Sequence, residues 1–455
     1  MLDLREYQID VLHHLQNSQA ERECVQLATG AGKTFIFTTF AALKAKEGKS
    51  TLILINRVEL MRQTVDVLMR HFGIMPVSVV AGCKATYVPS RKIYVAMVDT
   101  LARRPELLRD LRENIDTCIV DESHLGNFMK LINGWKRLIG FTATPLYDRK
   151  DDCLKNYYHN LHLGADIADL IEGGFLLEPE TLAPEAKLRK KHIKNIKIRQ
   201  GEYDSLQATN FLMEEKIFSP AIASIKERGR GRMIVYNQSV DHSRAVCEAL
   251  RREGYVHVYH IDGTTPQPER VQTISNLKKY DDAIVCNCGV LTFGFDEPDV
   301  HTIVVNRLTK SLTLWLQMVG RGARLGVQTE KPNFILLDLY GNAFDHGLWQ
   351  QTRNWQSIFA EIRERKGGDN DAPVKLCPEC EQVLPAQVKI CKYCNYVFPV
   401  AEVSADGVGQ VSNLIVVEKE MIDGWLDEIQ AKVEERGYNV YFGVHQIARR
   451  IAESG

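Results

Sequence analysis

Three groups of residues have the types and spacing that chemistry needs. The first, Thr29-Gly30-Ala31-Gly32-Lys33-Thr34, follows the short apolar segment Cys24–Leu27 and opens the apolar run FIFTTFAAL. Glycines let backbone N–H groups approach phosphate oxygens at the start of a helix. Lys33 can then reach β- and γ-phosphates, and the Thr34 hydroxyl can hold Mg²⁺. The general phosphate-loop pattern has a glycine where this chain has Leu27, so the match is partial. A Gly-rich turn at a helix start is the alternative. The second group, Asp121-Glu122-Ser123-His124, closes the apolar segment TCIV. Acidic residues at the carboxyl end of a parallel strand lie where open α/β sheets bind ligands. There Asp121 is suited to hold Mg²⁺ through water, and Glu122 to orient and deprotonate an attacking water. A solvated acidic strand end is the alternative.

The third group is Cys377, Cys380, Cys391 and Cys394, spaced CxxC–x10–CxxC. Two thiolate pairs at this spacing suit tetrahedral Zn²⁺, with four protein ligands and no open position for hydrolysis. Unmetallated cysteines or a redox pair are the alternatives. The stretch Asn395–Phe398 resembles a zinc-ribbon knuckle, and such a module suits a small platform for DNA or a partner protein.

These groups need elements to position them. Cys24–Leu27, Ser50–Ile55, Lys92–Val98, Thr117–Val120 and Arg137–Phe141 read as strands, with helical patterns such as Glu59–His71 between them. The alternation repeats. Arg232–Tyr236, Val256–His260, Ala283–Asn287, Thr302–Asn306 and Asn333–Leu337 read as strands, separated by helical segments such as Val240–Arg252 and Glu269–Lys279. Strands alternating with helices imply mostly parallel sheets. The expected domains are an α/β lobe at 1–178, a basic linker or hairpin at 179–215, a second α/β lobe at 216–358, a four-cysteine module at 374–400 and a helical tail at 410–455. A polar, turn-rich linker is expected near 365.

Composition agrees. With 455 residues and about 150 per domain, about three domains are expected. Lys+Arg is 57 against Asp+Glu 58, which excludes a protein that coats nucleic acid by bulk charge but leaves room for a local basic groove. No apolar run approaches the roughly 18 residues of a membrane helix. The amino-terminal MLDLREYQIDVLHHL has no signal-peptide core. Eleven cysteines, four grouped and seven scattered, fit a reducing compartment and one metal site better than a disulfide framework.

Taken together and in order, the motifs of 1–358 resemble those of the superfamily 2 DEAD/DEAH-box-type helicases and translocases. ATGAGKT is that group's form of the phosphate loop, which accounts for Leu27, and DESH is its DExH box. The resemblance implies two tandem RecA-like lobes, ATP and Mg²⁺ as cofactors, and nucleic-acid-stimulated ATP hydrolysis. It implies that Arg5 and Gln8 of Arg5-Glu6-Tyr7-Gln8 read adenine. Thr29 through Thr34 would cradle the phosphates, and Gly294 and Asp296 of Gly294-Phe295-Asp296 would complete the nucleotide site. Thr142 and Thr144 of GFTATP would couple that site to the nucleic-acid groove. Gln317, Arg321 and Arg324 match QxxGRxxR. An ATP site built by one lobe lacks positive charge opposite the γ-phosphate, and Arg321 and Arg324 would supply it on closure. His124 reads either as a packed strand-end histidine or as a link between the γ-phosphate and Gln317.

Asn56–Leu60 and Val98–Leu101 match two strand-contacting stretches of the first lobe. Candidate nucleic-acid contacts are Arg57, Thr100, Arg103 and Asn287. To these the run 187–199 (KLRKKHIKNIKIR, seven Lys/Arg) adds Lys190, Lys191 and Lys194. A solvated hairpin or loop is the alternative for the run, although Ile193, Ile196 and Ile198 interleave with the lysines. The four-cysteine module and short tail are similar to those of phage and prophage helicases and of bacterial RadD-type DNA-repair ATPases. GFTATP leans to DNA over RNA by the same resemblance. The expected function is an ATP-dependent DNA helicase or branch-remodelling translocase of replication, recombination or repair. An RNA helicase, a motor subunit for a separate nuclease and a non-motor scaffold are the alternatives. The expected setting is the bacterial cytoplasm, or the host's for a phage protein. There a monomer would act on branched DNA or single-strand/duplex junctions, with replication or recombination proteins as partners through the zinc module or tail.

Overall fold

Apolar strands that alternate with amphipathic helices bury both faces only in parallel sheets covered on two sides. The computed structural model describes residues 4–147, 152–183, 193, 195–199, 201–291, 297–327, 330–360 and 374–398, and it contains two such sheets. The first comprises β1 (Arg22–Gln26), β2 (Thr51–Ile55), β3 (Val77–Val79), β4 (Ile93–Met97), β5 (Thr117–Asp121), β6 (Leu138–Thr142) and β7 (Asn160–Leu163). Their order is β3-β4-β2-β5-β6-β1-β7, and all neighbours run parallel. Every residue of β2 and β5 is buried, as coverage on both faces requires. Only β6 separates β1 from β5, so the loop after Gln26 and the carboxylate of Asp121 emerge close together.

The second sheet begins before the second lobe's expected start. β8 (Pro179–Leu182) pairs with the last strand of that sheet. β9 (Ile198–Arg199) and β10 (Glu202–Tyr203) form a short antiparallel hairpin. β11 (Arg232–Asn237), β12 (Val258–Ile261), β13 (Ile284–Asn287), β14 (Val300–Asn306) and β15 (Phe334–Asp338) complete the sheet in the order β12-β13-β11-β14-β15-β8. The segment expected as a linker, 179–215, thus supplies an edge strand, the hairpin and the helix Ser205–Leu212. The strands expected from sequence form within about two residues of their expected bounds. β16 (Val374–Leu376) and β17 (Val383–Pro385) make the antiparallel hairpin of the cysteine module. The tail at 410–455 and the linker near 365 lie outside the described residues. Among the described residues no helix is long and apolar enough to cross a membrane.

One buried apolar cluster runs through both lobes. It holds Leu27, Ala31, Leu176 and Leu177 together with Ile303, Val319, Ala323 and Trp349. The second lobe also buries two histidines. Burial lowers the His242 imidazole to about 4. Burial likewise lowers His346 to about 4, against the opposing pull of the Thr309 carbonyl. Folded pKa values below the unfolded one mean that the unfolded chain takes up more protons on acidification. Stability is therefore full above about 6.5 and falls as pH drops toward 4. Each histidine should cost about 2 kcal/mol at about pH 5 relative to pH 7. Thermal unfolding of wild type and of His346→Gln at both pH values checks this. An equal pH dependence in the two would contradict it.

Candidate ATP site, metal centre and nucleic-acid face

The phosphate loop hangs between β1 and the helix Lys33–Lys46. Leu27, the departure from the general glycine pattern, is fully buried. Its backbone N–H donates to the Thr142 carbonyl (3.0 Å), tying the loop to β6. Gly32 has φ +77°, and a Cβ there would stand 2.7 Å from Gln8 Nε2, so both backbone and space require glycine. The Lys33 ammonium donates to the carbonyls of Leu27 (3.3 Å) and Ala28 (3.5 Å). Burial lowers its pKa; Glu122 and Asp121 oppose that shift, and Arg321 and Arg324 add to it. Both arginines of the second lobe therefore act electrostatically on the phosphate-loop lysine of the first.

Gln8 is buried beside this loop. Its amide donates to the Ala31 carbonyl (3.1 Å) and accepts from Arg5 N–H (3.1 Å). The Tyr7 hydroxyl also donates to Ala31 (3.0 Å). The Arg5 guanidinium lies 4.5 Å above the Phe175 ring. Of the expected adenine readers, Gln8 thus braces the phosphate loop directly, and Arg5 supports Gln8. Gly294 and Asp296 lie outside the described residues.

Asp121 ends β5 and is buried. Burial, and then the charge of Glu122, raise its carboxyl to about 7, opposed by Lys33 and by the Glu122 N–H. Two adjoining carboxyls beside one lysine suit a bound cation, which would offset that cost. Glu122 sits at φ +52°, a conformation that costs a non-glycine residue of order 1 kcal/mol. Its carboxylate lies 3.4 Å from His124 Nδ1. His124 Nδ1 is also 2.9 Å from Thr142 Oγ1. That hydroxyl donates to the Thr144 carbonyl (2.9 Å) and accepts from Thr144 N–H (3.0 Å). With the hydroxyl proton so used, Nδ1 carries the hydrogen that His124 gives to Thr142. The structure therefore joins the DESH and GFTATP segments in one buried network.

Gln317 lies on the helix Leu312–Val319, capped by Ser311, whose hydroxyl accepts from Leu314 N–H (3.2 Å). Gln317 is buried, and neither amide atom has a hydrogen-bond partner among the described residues. The expected link from His124 to Gln317 is not made in this state. The next turn, Gly320–Arg324, abuts the phosphate loop: a Cβ on Gly320 would lie 3.1 Å from the Thr29 side chain. A Cβ on Gly322 would meet the Phe334 ring at 2.4 Å, so glycine lets this turn lie flat on the second sheet. Lys331, which belongs to none of the sequence motifs, is buried behind the turn. Its ammonium donates to the carbonyls of Gly322 (2.6 Å), Arg324 (3.1 Å) and Pro298 (3.0 Å). No spacing rule marks a lysine whose partners are backbone carbonyls.

Arg57 stands at the N-cap position of the helix Val58–Phe72 after β2, and Thr100 and Arg103 lie at the helix Val98–Ala102 after β4. All three thus stand at carboxyl ends of adjacent strands. Arg103 is exposed. Asn287 departs from expectation. It is fully buried and its amide donates to the Val235 carbonyl (3.1 Å), so it braces β13 against β11 and offers no surface contact in this state. The second lobe brings two arginines the sequence reading did not name. Arg270 pairs across the lobes with Glu59 (3.7 Å), and Arg244 lies 3.5 Å from Asp262. The buried Asp262 is held well below the usual carboxylate range, first by the Thr264 hydroxyl and then by His260. Asp262-Gly263-Thr264-Thr265 is a turn signal legible in the sequence. Lys190, Lys191 and Lys194 lie outside the described residues. Of the interleaved isoleucines, Ile193 and Ile196 pack with Tyr203, Leu212 and Leu308 of the second lobe, whereas Ile198 is half exposed.

The four cysteine Sγ atoms lie within 4.8 Å of one another. Cys377 and Cys394 are 3.5 Å apart, and Cys380 and Cys391 3.6 Å. A tetrahedron with Zn–S bonds of about 2.3 Å has edges of about 3.8 Å, so the set fits the ion. The two halves repeat one knuckle. Glu381 N–H donates to Cys377 and Asn395 N–H to Cys391 (3.0 and 2.8 Å), and both residues have positive φ.

Comparison with known proteins agrees with this geometry. Residues 1–146 match the family model "Type III restriction enzyme, res subunit", and residues 215–326 match "Helicase conserved C-terminal domain". The chain is 25% identical to a "51.5 kDa protein" of a Lactococcus phage, over 88% of this chain and 83% of that one. It is 26% identical to "Putative ATP-dependent helicase IRC3" of Saccharomyces cerevisiae, over 74% of this chain and 51% of that one; the chain thus spans about half the length of the yeast relative. Among solved structures it resembles "ATP-dependent Type ISP restriction-modification enzyme LlaBIII bound to DNA", with TM-score 0.54 and 17% identity, over 74% of this chain and 27% of that one. The two parallel-sheet lobes, with their phosphate loop, DESH box and QxxGRxxR turn, have the superfamily 2 DEAD/DEAH-type helicase fold, an ATP-hydrolysing fold joined here to a candidate four-cysteine metal-binding cluster.

Proposed function

We propose that the chain couples ATP hydrolysis to movement along DNA and uses it to unwind duplexes or remodel branched DNA in replication, recombination or repair. The observation that carries this is the convergence on Lys33 of the Asp121–Glu122 pair from one lobe and Arg321 and Arg324 from the other. Phosphoryl transfer needs little covalent help and much positioned charge. Lys33 neutralises the β- and γ-phosphates. Thr34 and Asp121 would hold Mg²⁺, which would supply further positive charge to the phosphates. Glu122 orients the attacking water and takes its proton, and the arginines stabilise charge spreading onto the γ-phosphoryl oxygens. Closure that brings Gln317 into partnership would pull on the His124–Thr142–Thr144 network. The lobes would thereby shift against a strand held by Arg57, Thr100, Arg103, Arg244 and Arg270.

Support for DNA over RNA comes from GFTATP and from the restriction-enzyme model over 1–146. That model also favours a second reading, a motor subunit for a separate nuclease. The test is steady-state ATPase activity with single-stranded, duplex, forked and Holliday-type DNA and with RNA, run beside strand-separation and branch-migration assays. The expected result is stimulation by DNA, greatest with branched forms. Activation by RNA alone overturns the proposal; DNA cleavage appearing only with a co-purified subunit favours the second reading. Replacing Lys190, Lys191 and Lys194 together by Gln should lower the slope of log affinity against log salt by about 2 for a single strand. An unchanged slope removes the basic run from the contact.

A further inference from the structure

The chain that passes from the first lobe to the second touches the nucleotide site and the cysteine module within a few residues. The Phe175 ring lies under the Arg5 guanidinium and edge-on to Tyr7 at 5.6 Å. Leu176 packs onto the phosphate loop, 2.9 Å from where a Cβ on Gly30 would stand. Leu177 N–H donates to the Ala323 carbonyl (2.7 Å), inside the turn that carries Arg321 and Arg324. The next residue, Glu178, accepts from Lys392 Nζ (2.6 Å) and from the Gln350 amide (3.1 Å). Lys392 lies in the knuckle between Cys391 and Cys394. The Tyr393 hydroxyl of that knuckle donates to the Pro179 carbonyl (3.4 Å). Leu182 of β8 pairs with Gln382, beside β17. One peptide unit therefore separates a contact to the arginine turn from a contact to the metal-binding knuckle.

We propose that Glu178 and Lys392 are positioning residues for ATP hydrolysis: their pairing fixes the strap 175–182 between the four-cysteine module and the arginine turn, and so sets where Arg321 and Arg324 stand. The proposal rests on reading those arginines as the charges that stabilise the transition state. Both partners are partly exposed, so the pair adds little to stability, and its removal leaves the fold standing. Turnover is far more sensitive, because a displacement of about 1 Å at a catalytic group costs up to about 100-fold.

The test uses the full chain and measures kcat and KM for ATP at saturating DNA, DNA affinity, and zinc per chain. Lys392→Ala should lower kcat about 10-fold, with KM for ATP and DNA affinity within about two-fold and zinc unchanged at one ion per chain. Tyr393→Phe, which spares both the charge and the cysteines, should move kcat the same way by less. The exchange Lys392→Glu with Glu178→Lys should recover most of the loss, since the buried Gln350 Oε1 has no partner among the described residues and can accept from the new lysine. Unchanged kcat in both single variants, or an exchange that recovers nothing, overturns the proposal while wild-type hydrolysis stands. A wild type without ATP hydrolysis overturns the reading of the arginines as well.

Discussion

Arg324→Ala keeps ATP binding within a few-fold of wild type and lowers ATP turnover about 1000-fold. On the proposed reading the ground state needs little from this side chain, because Lys33 and the loop amides would hold the phosphates. The transition state needs more, because negative charge spreads over the transferring group, and Arg324 together with Arg321 would oppose it from the second lobe. An interaction made only in the transition state leaves nucleotide affinity and takes away kcat. Fluorescent-nucleotide titration and steady-state hydrolysis on the same preparation separate the two. Turnover equal to wild type would remove Arg324 from the chemistry, and a parallel loss of binding would make it a ground-state contact.

Removing the metal from the cysteine module, by chelation or by Cys391→Ser, unfolds residues 374–398. A hairpin of two three-residue strands does not stand alone in water, and metal binding in modules of this kind supplies about 10–16 kcal/mol. The buried side chains inside it are few, chiefly Val383, Leu384 and Gln382 beside the cysteines. Hydrogen exchange read by mass spectrometry should show protection lost over 374–398 on chelation and kept in β2, β5, β11 and β14. Protection that survives chelation, or a purified chain that carries no zinc, would show that the hairpin folds on its own packing.

The legible parts of this molecule are those whose chemistry is local in sequence. The phosphate loop, the DESH box and the cysteine pairs each need a fixed spacing within a few residues, and the central strands need an unbroken apolar run, as in Thr51–Ile55. β7 (NLHL) and β8 (PETL) lack such a run. Both sit at sheet edges, where half the pairing is absent and polar residues are tolerated. β8 exists because β15, some 150 residues later, offers it an edge. Lys331 and Glu178 are ordinary charged residues in the sequence; only the fold brings the carbonyls of Gly322 and Arg324 to one and the knuckle to the other. Asn287 misled because a polar residue at the end of an apolar strand reads as a surface group, whereas the fold spends its amide on a neighbouring strand.

Lys331 has a consequence for timing. Its ammonium binds the backbone of the arginine turn on both sides of Ala323. The main chain of that turn is thus ordered when the protein folds, and the entropy of fixing it, about 1–2 kcal/mol per residue, is not charged again to each cycle. If the chain works as the proposed motor, this turn is one surface that need not find its shape when nucleotide arrives.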